Sequence, residues 1–116
     1  MFSFQKLEIY QLAKEIVKLN YKMTKKFPSD EKFALTQQMN RSAVSVPSNI
    51  AEGTSRSSNK ERAHFINMAY GSLMELVCQV EISQELGYIE QGEQETFMKM
   101  SKNLSVKMSN YLRTMV

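Results

Sequence analysis

The chain has 116 residues, of which 42% are hydrophobic, and a formal net charge of +3 at pH 7. This length suits a single domain with its own core, and the apolar content excludes a disordered chain. One cysteine excludes an intramolecular disulfide, and only two prolines and four glycines favour long helices. The sequence has no apolar run of the roughly 20 residues that a membrane span needs, and the first residues do not resemble a signal peptide. We therefore predict one cytoplasmic domain over residues 1–116, without membrane contact.

Apolar residues at helical spacing predict two helices in the first half of the chain, near residues 5–26 and 29–52. A Pro-Ser break separates them, and Ser29 is expected to cap the second helix. Pro47 lies inside the second pattern, where it removes a backbone donor and clashes with the preceding turn. Because the apolar pattern continues beyond it, we expect a kink there rather than an end. Gly53 is expected to cap the C-terminal end of this helix.

The second half of the chain predicts two further helices, near residues 58–86 and 90–115. Ser58 and Glu61 have the spacing of a capping box, in which each side chain satisfies a free backbone donor. Gly87 is expected to end the third helix. No segment alternates with the period of two that a strand shows, and the connections are short. The predicted fold is all-α, an antiparallel up-down-up-down four-helix bundle.

Residues that could carry catalysis or bind a metal are few. His64 is the only histidine, and with Glu61 it has the Glu-x-x-His spacing of di-iron bundles, which need two such motifs and two further carboxylates. Cys78 has no basic neighbour in sequence that would activate it, so we expect a buried core thiol. The glycines are isolated, which argues against a phosphate-binding loop. We therefore predict that the protein is not an enzyme and has no cofactor, metal site or small-molecule substrate.

Charged residues are distributed unevenly along the chain. The stretch 63–98 holds glutamates but no lysine or arginine, and the stretch 99–116 holds cations but no acid. In the predicted bundle, one end gathers the basic residues Arg56, Lys60, Arg62, Lys107 and Arg113. An alternative basic surface on the first helix consists of Lys18, Lys22, Lys25 and Lys26. Three interpretations stay open: contact with the phosphates of RNA or DNA, solvated charges that keep the protein soluble, and lateral assembly of an acidic corner with another copy's basic first helix.

A polar stripe runs beside the apolar face of the second helix. It consists of Gln38, Arg41, Ser45, Asn49 and Glu52, which recur at spacings of three and four residues. Pairing the second and third helices around their short connection places Glu75 level with Gln38 and close to Arg41. Charged groups this close to a core need partners, so we hypothesise an Arg41–Glu75 contact, direct or through Gln38. The alternative is that both side chains point to solvent.

The same region carries a family resemblance. Its most specific part is the block Ser48-Asn49-Ile50-Ala51-Glu52-Gly53, accompanied by Phe27-Pro28, Leu35, Arg41-Ser42-Ala43, Gly71-Ser72 and Glu75-Leu76. These residues resemble the four-helix-bundle family of 23S rRNA-intervening-sequence proteins, and the match runs from Phe4 to about Leu112. The resemblance implies a bacterial protein of unassigned role that assembles as a ring-like homopentamer. A more distant relative, the accessory protein of diversity-generating retroelements, binds nucleic acid, so the resemblance makes RNA or DNA a candidate partner.

Together these features predict a non-enzymatic, self-assembling helical bundle protein whose basic surface is a candidate site for nucleic acid. The alternative is a purely structural or protein-interaction module without nucleic-acid binding. In that case the polar stripe would fix the register of helices or subunits.

Overall fold

The protein is a bundle of four helices. A computed structural model describes residues 1–115, and within that range it contains helices and turns but no strand. Short 3₁₀ turns precede the first and the second helix. The helices are α1 (Glu8–Thr24), α2 (Leu35–Thr54), α3 (Asn59–Glu85) and α4 (Gln91–Arg113). The prediction of an all-α fold with four helices is confirmed.

The four helices pack in a closed square. α1 packs on α2, α2 on α3, α3 on α4, and α4 back on α1, whereas within residues 1–115 no Cα atoms of either diagonal pair lie within 8 Å of each other. At one end, Lys107 of α4 reaches Glu8 at the start of α1, with 3.2 Å between Nζ and Oε1. At the other end, Lys26 pairs with Glu93 in the first turn of α4 at 2.7 Å. These contacts are compatible with an up-down-up-down order, and they place α1 diagonally opposite α3.

Apolar stripes of all four helices meet in one core. Each helix contributes fully buried side chains, for example Ile16, Met39, Leu73 and Leu104. Phe97 of α4 is the largest of the fully buried side chains. Full burial of one such side chain contributes roughly 1.5–3 kcal/mol relative to leaving it in water. The shared core is therefore what holds the helices together.

The start of α2 differs from the prediction. The helix begins at Leu35 rather than near Ser29, and Ser29–Glu31 forms a 3₁₀ turn instead. Ala34 precedes the helix with a non-helical backbone, at φ −122° and ψ −105°. No side chain between residues 29 and 34 is buried, and packing of an apolar face is what stabilises most helices in proteins. The expected cap at Ser29 is therefore wrong, whereas the other helix ends lie within three residues of their predicted positions.

Gly53 allows close helix packing rather than ending a helix. α2 continues through it to Thr54, so the expected cap is wrong. A Cβ atom at Gly53 would lie 3.0 Å from the Phe65 Cβ and 3.3 Å from the Arg62 carbonyl oxygen, both in α3. The missing side chain therefore lets α2 and α3 approach each other beside their connection. α2 also continues through the buried Pro47, as the apolar pattern predicts, and a kink there stays a prediction.

Both ends of α3 have identifiable caps. The Glu61 backbone N–H donates to Ser58 Oγ at 3.1 Å, and the Ser58 hydroxyl donates to the Glu61 carboxylate at 3.2 Å. The carboxylate thus bonds to a hydroxyl rather than to the backbone, and only one of the two expected backbone donors is satisfied by a side chain. At the other end, Gly87 has φ +82°, a left-handed conformation that favours glycine. The N–H groups of Gly87 and the next residue donate to last-turn carbonyls at 3.0 and 2.9 Å, the pattern of a Schellman motif.

Tyr88, in the α3–α4 connection, contacts the segment before α2. Its hydroxyl donates to Glu31 Oε2 at 2.9 Å, and its ring packs on Phe27 with the centroids 5.3 Å apart. The hydrogen bond to Glu31 raises the pKa of Tyr88 above its ordinary value, and desolvation and nearby negative charge act in the same direction. The folded protein therefore holds this proton more tightly than the unfolded chain does. The contribution to stability is fully present below a pH of about 10 and is lost as the pH rises through the raised pKa.

We expect Tyr88→Phe to remove the tyrosine whose pKa is raised by Glu31 and to weaken the alkaline loss of stability. Difference absorbance of tyrosinate and urea unfolding on either side of a pH of about 10 measure these effects. Tyr21→Phe, which removes an exposed tyrosine, is the matched control. An alkaline loss of stability that is the same in Tyr88→Phe as in the wild type would contradict this role.

Candidate functional site

A hydrogen-bonded polar seam joins α2 to α3. The buried Ser42 hydroxyl donates to Glu75 Oε1 at 2.6 Å, and the Gln79 amide donates to the same oxygen at 3.3 Å. About one turn along, the hydroxyls of Ser45 and Ser72 lie 2.8 Å apart. Side-chain hydrogen bonds at two successive positions of each helix resist sliding of one helix along the other. The seam therefore fixes the register of the α2–α3 pair.

The remaining polar residues of α2 bond within the helix. The Asn49 amide donates to the Ser45 carbonyl at 2.9 Å and to the Ser45 hydroxyl at 3.0 Å. Glu52 pairs with Arg56 at 2.6 Å, one turn further toward the connection. Asn49 thus extends the seam by orienting Ser45, whereas Glu52 lies at the basic end of the bundle.

The hypothesised Arg41–Glu75 contact is wrong. Both side chains line one groove of about 790 Å³ between α2 and α3, as does Gln38. Within residues 1–115, however, no carboxylate oxygen lies within 4.0 Å of an Arg41 nitrogen, and no hydrogen bond of Gln38 bridges the two side chains. Glu75 instead accepts a hydrogen bond from Ser42. The short serine side chain places its hydroxyl at the edge of the core, within reach of the Glu75 carboxylate.

We expect Ser42→Ala and Glu75→Ala each to lower the free energy of unfolding by about 1 kcal/mol, because each change leaves its seam partner without its hydrogen bond. The two losses should not add, since both changes break the same contact. A double-mutant cycle measured by urea unfolding gives the coupling energy. Arg41→Ala is the matched control, and its loss should add to that of Glu75→Ala. An additive Ser42–Glu75 pair would contradict the seam.

Two of the five residues of the predicted basic end are neutralised within the chain. Arg56 pairs with Glu52 at 2.6 Å, and its guanidinium also lies over the Phe65 ring, 4.5 Å from the centroid. Lys107 pairs with Glu8 at 3.2 Å. Such internal pairs reduce the positive potential that this end presents to a phosphate.

The other three residues of this end form no ion pair within residues 1–115. Lys60 is exposed, and Arg62 and Arg113 donate to the neutral side chains of Asn59 at 3.0 Å and Asn110 at 3.3 Å. A cavity of about 300 Å³ beside Arg62 is lined by residues near both ends of the chain and by the adjoining ends of α2 and α3. Lys60, Arg62 and Arg113 are therefore the cations here that stay available to a ligand.

A basic groove lies between α1 and α2. Two adjoining cavities of about 710 and 600 Å³ share Tyr21, Thr36 and Asn40 in their walls. The cations of the groove are Lys22, Lys25, Lys32 and Arg41, and its exposed apolar side chains are Tyr21, Phe33 and Val44. Within residues 1–115 no carboxylate lines these cavities, and none of the four cations forms an ion pair. We call this surface the α1–α2 groove.

The alternative basic surface predicted on the first helix is divided by the structure. Lys22 and Lys25 lie in the α1–α2 groove. Lys18 instead pairs with Glu15 at 3.2 Å, and Lys26 pairs with a glutamate at the start of α4 at 2.7 Å. The basic first helix and the acidic third connection, which one of the three interpretations pairs between copies, meet within one chain at Lys26.

Helix α3 presents apolar and acidic side chains together on its outer side. The exposed apolar residues of this side are Met68, Met74, Cys78, Ile82 and, one residue past the helix, Leu86, and its exposed acids are Glu75, Glu81 and Glu85. The exposed fraction is 45% for Ile82 and 54% for Leu86. None of the three glutamates forms an ion pair within residues 1–115. We call this surface the α3 outer face.

The expectation of a buried Cys78 thiol is wrong, because Cys78 is exposed on the α3 outer face. Apolar residues occur on nearly every side of α3, and such a pattern does not distinguish the inside of the helix from the outside. Exposed apolar side chains along a single helix are typical of a surface that another molecule covers.

The single histidine lies on the surface of the bundle. His64 is exposed and lies edge-on to Phe65, with the ring centroids 5.5 Å apart. Residues 1–115 contain no group of three or more histidine, cysteine, aspartate or glutamate side chains placed to hold a metal ion. None of the helices described there is long and apolar enough to cross a membrane.

Comparison with known proteins identifies the family. The family model described as 23S rRNA-intervening sequence protein matches residues 5–110. The chain belongs to this family. Among solved structures, it is similar to a protein of unknown function from the S23 ribosomal protein family of Bacteroides thetaiotaomicron. The two are 19% identical over 90% of this chain and 97% of that one, with a TM-score of 0.82. A comparison with curated proteins found no match.

The chain also contains one polar cluster that the sequence did not predict. The fully buried Asn20 donates its amide to Asn40 Oδ1 at 2.8 Å, and the Thr24 hydroxyl donates to the same oxygen at 3.0 Å. The cluster joins α1 to α2, and its members Thr24 and Asn40 also line the α1–α2 groove. Asn20 falls on the apolar stripe of the first helix, and an amide at a core position signals a buried partner.

Proposed function

We propose that this protein is a non-enzymatic, antiparallel up-down-up-down bundle that assembles with copies of itself. The α3 outer face carries the proposal. It exposes Met74 and Ile82 on α3 and Leu86 just beyond the helix, and exposed apolar side chains grouped in this way are typical of a surface that another molecule covers. In a single copy these side chains contact water, and burial of apolar surface is the main driving force of association.

The family resemblance supports a ring-like homopentamer as the assembled form. A single cysteine, exposed at Cys78, fits a reducing cytoplasm. The related S23 protein is described as having unknown function, which agrees with a family in which no activity has been assigned.

Light scattering coupled to size exclusion tests self-assembly. From about 1 μM to about 100 μM, a range in which contacts of biological strength form, the mass should rise above the 13.4 kDa of one chain. A mass of 13.4 kDa at every concentration would overturn the proposal.

Nucleic-acid binding is a second candidate function. Lys60, Arg62 and Arg113 support it, because they share one end of the bundle and no carboxylate neutralises them within residues 1–115. Fluorescence anisotropy of a labelled RNA across a salt series measures the effect. We expect Lys60→Gln to weaken binding for all sequences and to reduce the salt slope by roughly one unit.

Lys99→Gln, which removes an exposed lysine on α4, is the control and should leave the slope nearly unchanged. Binding without a salt slope, or no binding at all, would leave the purely structural or protein-interaction module as the function.

A further inference from the structure

The α3 outer face cannot pair favourably with its own copy. Glu75, Glu81 and Glu85 lie among its exposed apolar side chains, the stretch 63–98 holds no lysine or arginine, and within residues 1–115 Arg41 of α2 is the one cation that lines the groove beside Glu75. Two such faces packed together would bring like charges into a surface that is losing water, and juxtaposed like charges oppose association. A contact that buries this face therefore needs a basic partner with apolar side chains of its own.

The α1–α2 groove has that chemistry. Phe33 is 81% exposed and Tyr21 is 46% exposed, so both rings are available for apolar contact. Lys22 and Lys32 flank them, and neither forms an ion pair within residues 1–115. The groove thus presents exposed rings and unpaired cations, where the α3 outer face presents aliphatic side chains and unpaired carboxylates.

The two surfaces adjoin along α2, because Arg41 and Ser45 line both the α1–α2 groove and the neighbouring groove that Cys78 and Ile82 line. Their far sides lie apart, since α1 is diagonally opposite α3 and no Cα atoms of the two helices lie within 8 Å of each other within residues 1–115. One copy can therefore offer its α3 outer face to a second copy while its α1–α2 groove receives a third. Contacts between two different patches are heterologous, and they generate rings when the rotation closes.

We propose that the α3 outer face of one copy docks on the α1–α2 groove of the next, so that copies join head to tail. This inference rests on the proposed self-assembly and names the two surfaces that carry it. The occupant of the groove is a second copy of this chain, because the chain itself carries the complementary acidic and apolar surface.

A charge exchange between the two surfaces tests the proposal. The groove variant combines Lys22→Glu with Lys32→Glu, and the face variant combines Glu81→Lys with Glu85→Lys; all four positions are exposed. Each variant places like charges across the contact, so we expect self-association about a hundredfold weaker than in the wild type. An equimolar mixture of the two variants should associate again, because each supplies the charge that the other requires. The chain with all four substitutions should also associate with itself.

Lys99→Glu with Lys102→Glu is the matched control. It makes the same change in net charge as the groove variant, at two exposed positions of α4, and it should keep the wild-type dissociation constant. Circular dichroism of each variant checks that the helices form.

The outcomes separate this inference from the proposed function. A wild type that stays monomeric overturns both. If the wild type assembles and the groove variant assembles equally well, the head-to-tail contact is overturned, whereas the proposed self-assembly is not. Failure of the mixture to associate also overturns the contact. A groove variant that keeps its mass but loses affinity for RNA would assign the groove to nucleic acid instead.

Discussion

Ile82→Lys is expected to convert the assembled protein into a monomer. Ile82 is 45% exposed in the single chain, so a lysine there can reach water and the bundle should still fold. In the assembly the same ammonium would lose water and would face the cations of the α1–α2 groove. The expected result is an association at least about a hundredfold weaker, measured by light scattering over a dilution series.

Val106→Lys is the control for this change. Val106 is 48% exposed on α4, so it has nearly the exposure of Ile82 but lies outside both proposed surfaces. This variant should assemble as the wild type does. Equal loss of assembly in both variants, or wild-type assembly of Ile82→Lys, would contradict the proposed role of the α3 outer face.

Gly53→Leu is expected to destabilise the bundle by about 3 kcal/mol, the upper part of the range for inserting atoms into a packed interface. Its Cβ alone would lie 3.0 Å from the Phe65 Cβ and 3.3 Å from the Arg62 carbonyl oxygen. The rest of the side chain would force α2 away from α3 at the point where the two helices approach each other. The higher helix propensity of leucine returns at most about 1 kcal/mol. Urea unfolding measures the difference from the wild type.

The matched control is Gly92→Leu in the first turn of α4. A Cβ there meets no atom within 4 Å, so leucine should leave the stability unchanged or raise it slightly. Equal stability of the two leucine variants would show that close α2–α3 packing does not require Gly53.

The sequence predicts the helices well because their signals are local. Apolar periodicity marks the core positions, and Ser58 and Gly87 act at the boundaries through bonds within one turn of the chain. The start of α2 is an exception, since charged residues after Ser29 suit a first helical turn but nothing buries the side chains before Leu35. Propensity and capping signals do not reveal whether a core lies beside the segment.

Contacts between helices are harder to predict from the sequence. Placing Glu75 beside the second helix was sufficient to predict a polar partner there. The choice between Arg41 and Ser42 depends on rotation of the helices by a fraction of a turn, which spacing does not fix. The role of Gly53 is hard to predict for the same reason. A glycine near a helix end suggests a cap, whereas this one faces a neighbouring helix.

The candidate surfaces could be predicted only in part. Uneven charge along the chain indicated that acidic and basic regions would separate. Which cations stay unpaired depends on the folded neighbours, and Lys26 and Lys107 have ionic partners from distant segments. The exposure of Cys78 and Ile82 likewise depends on which sides of α3 the other helices cover.

The rate of Cys78 alkylation as a function of protein concentration tests the central claim most directly. Cys78 is the only cysteine and lies exposed on the α3 outer face, so one thiol reports on this surface. If copies assemble through that face, the rate per chain should fall as the concentration rises through the range in which the mass increases. A rate that stays constant while the mass increases would show that assembly leaves the α3 outer face uncovered, and it would contradict the account.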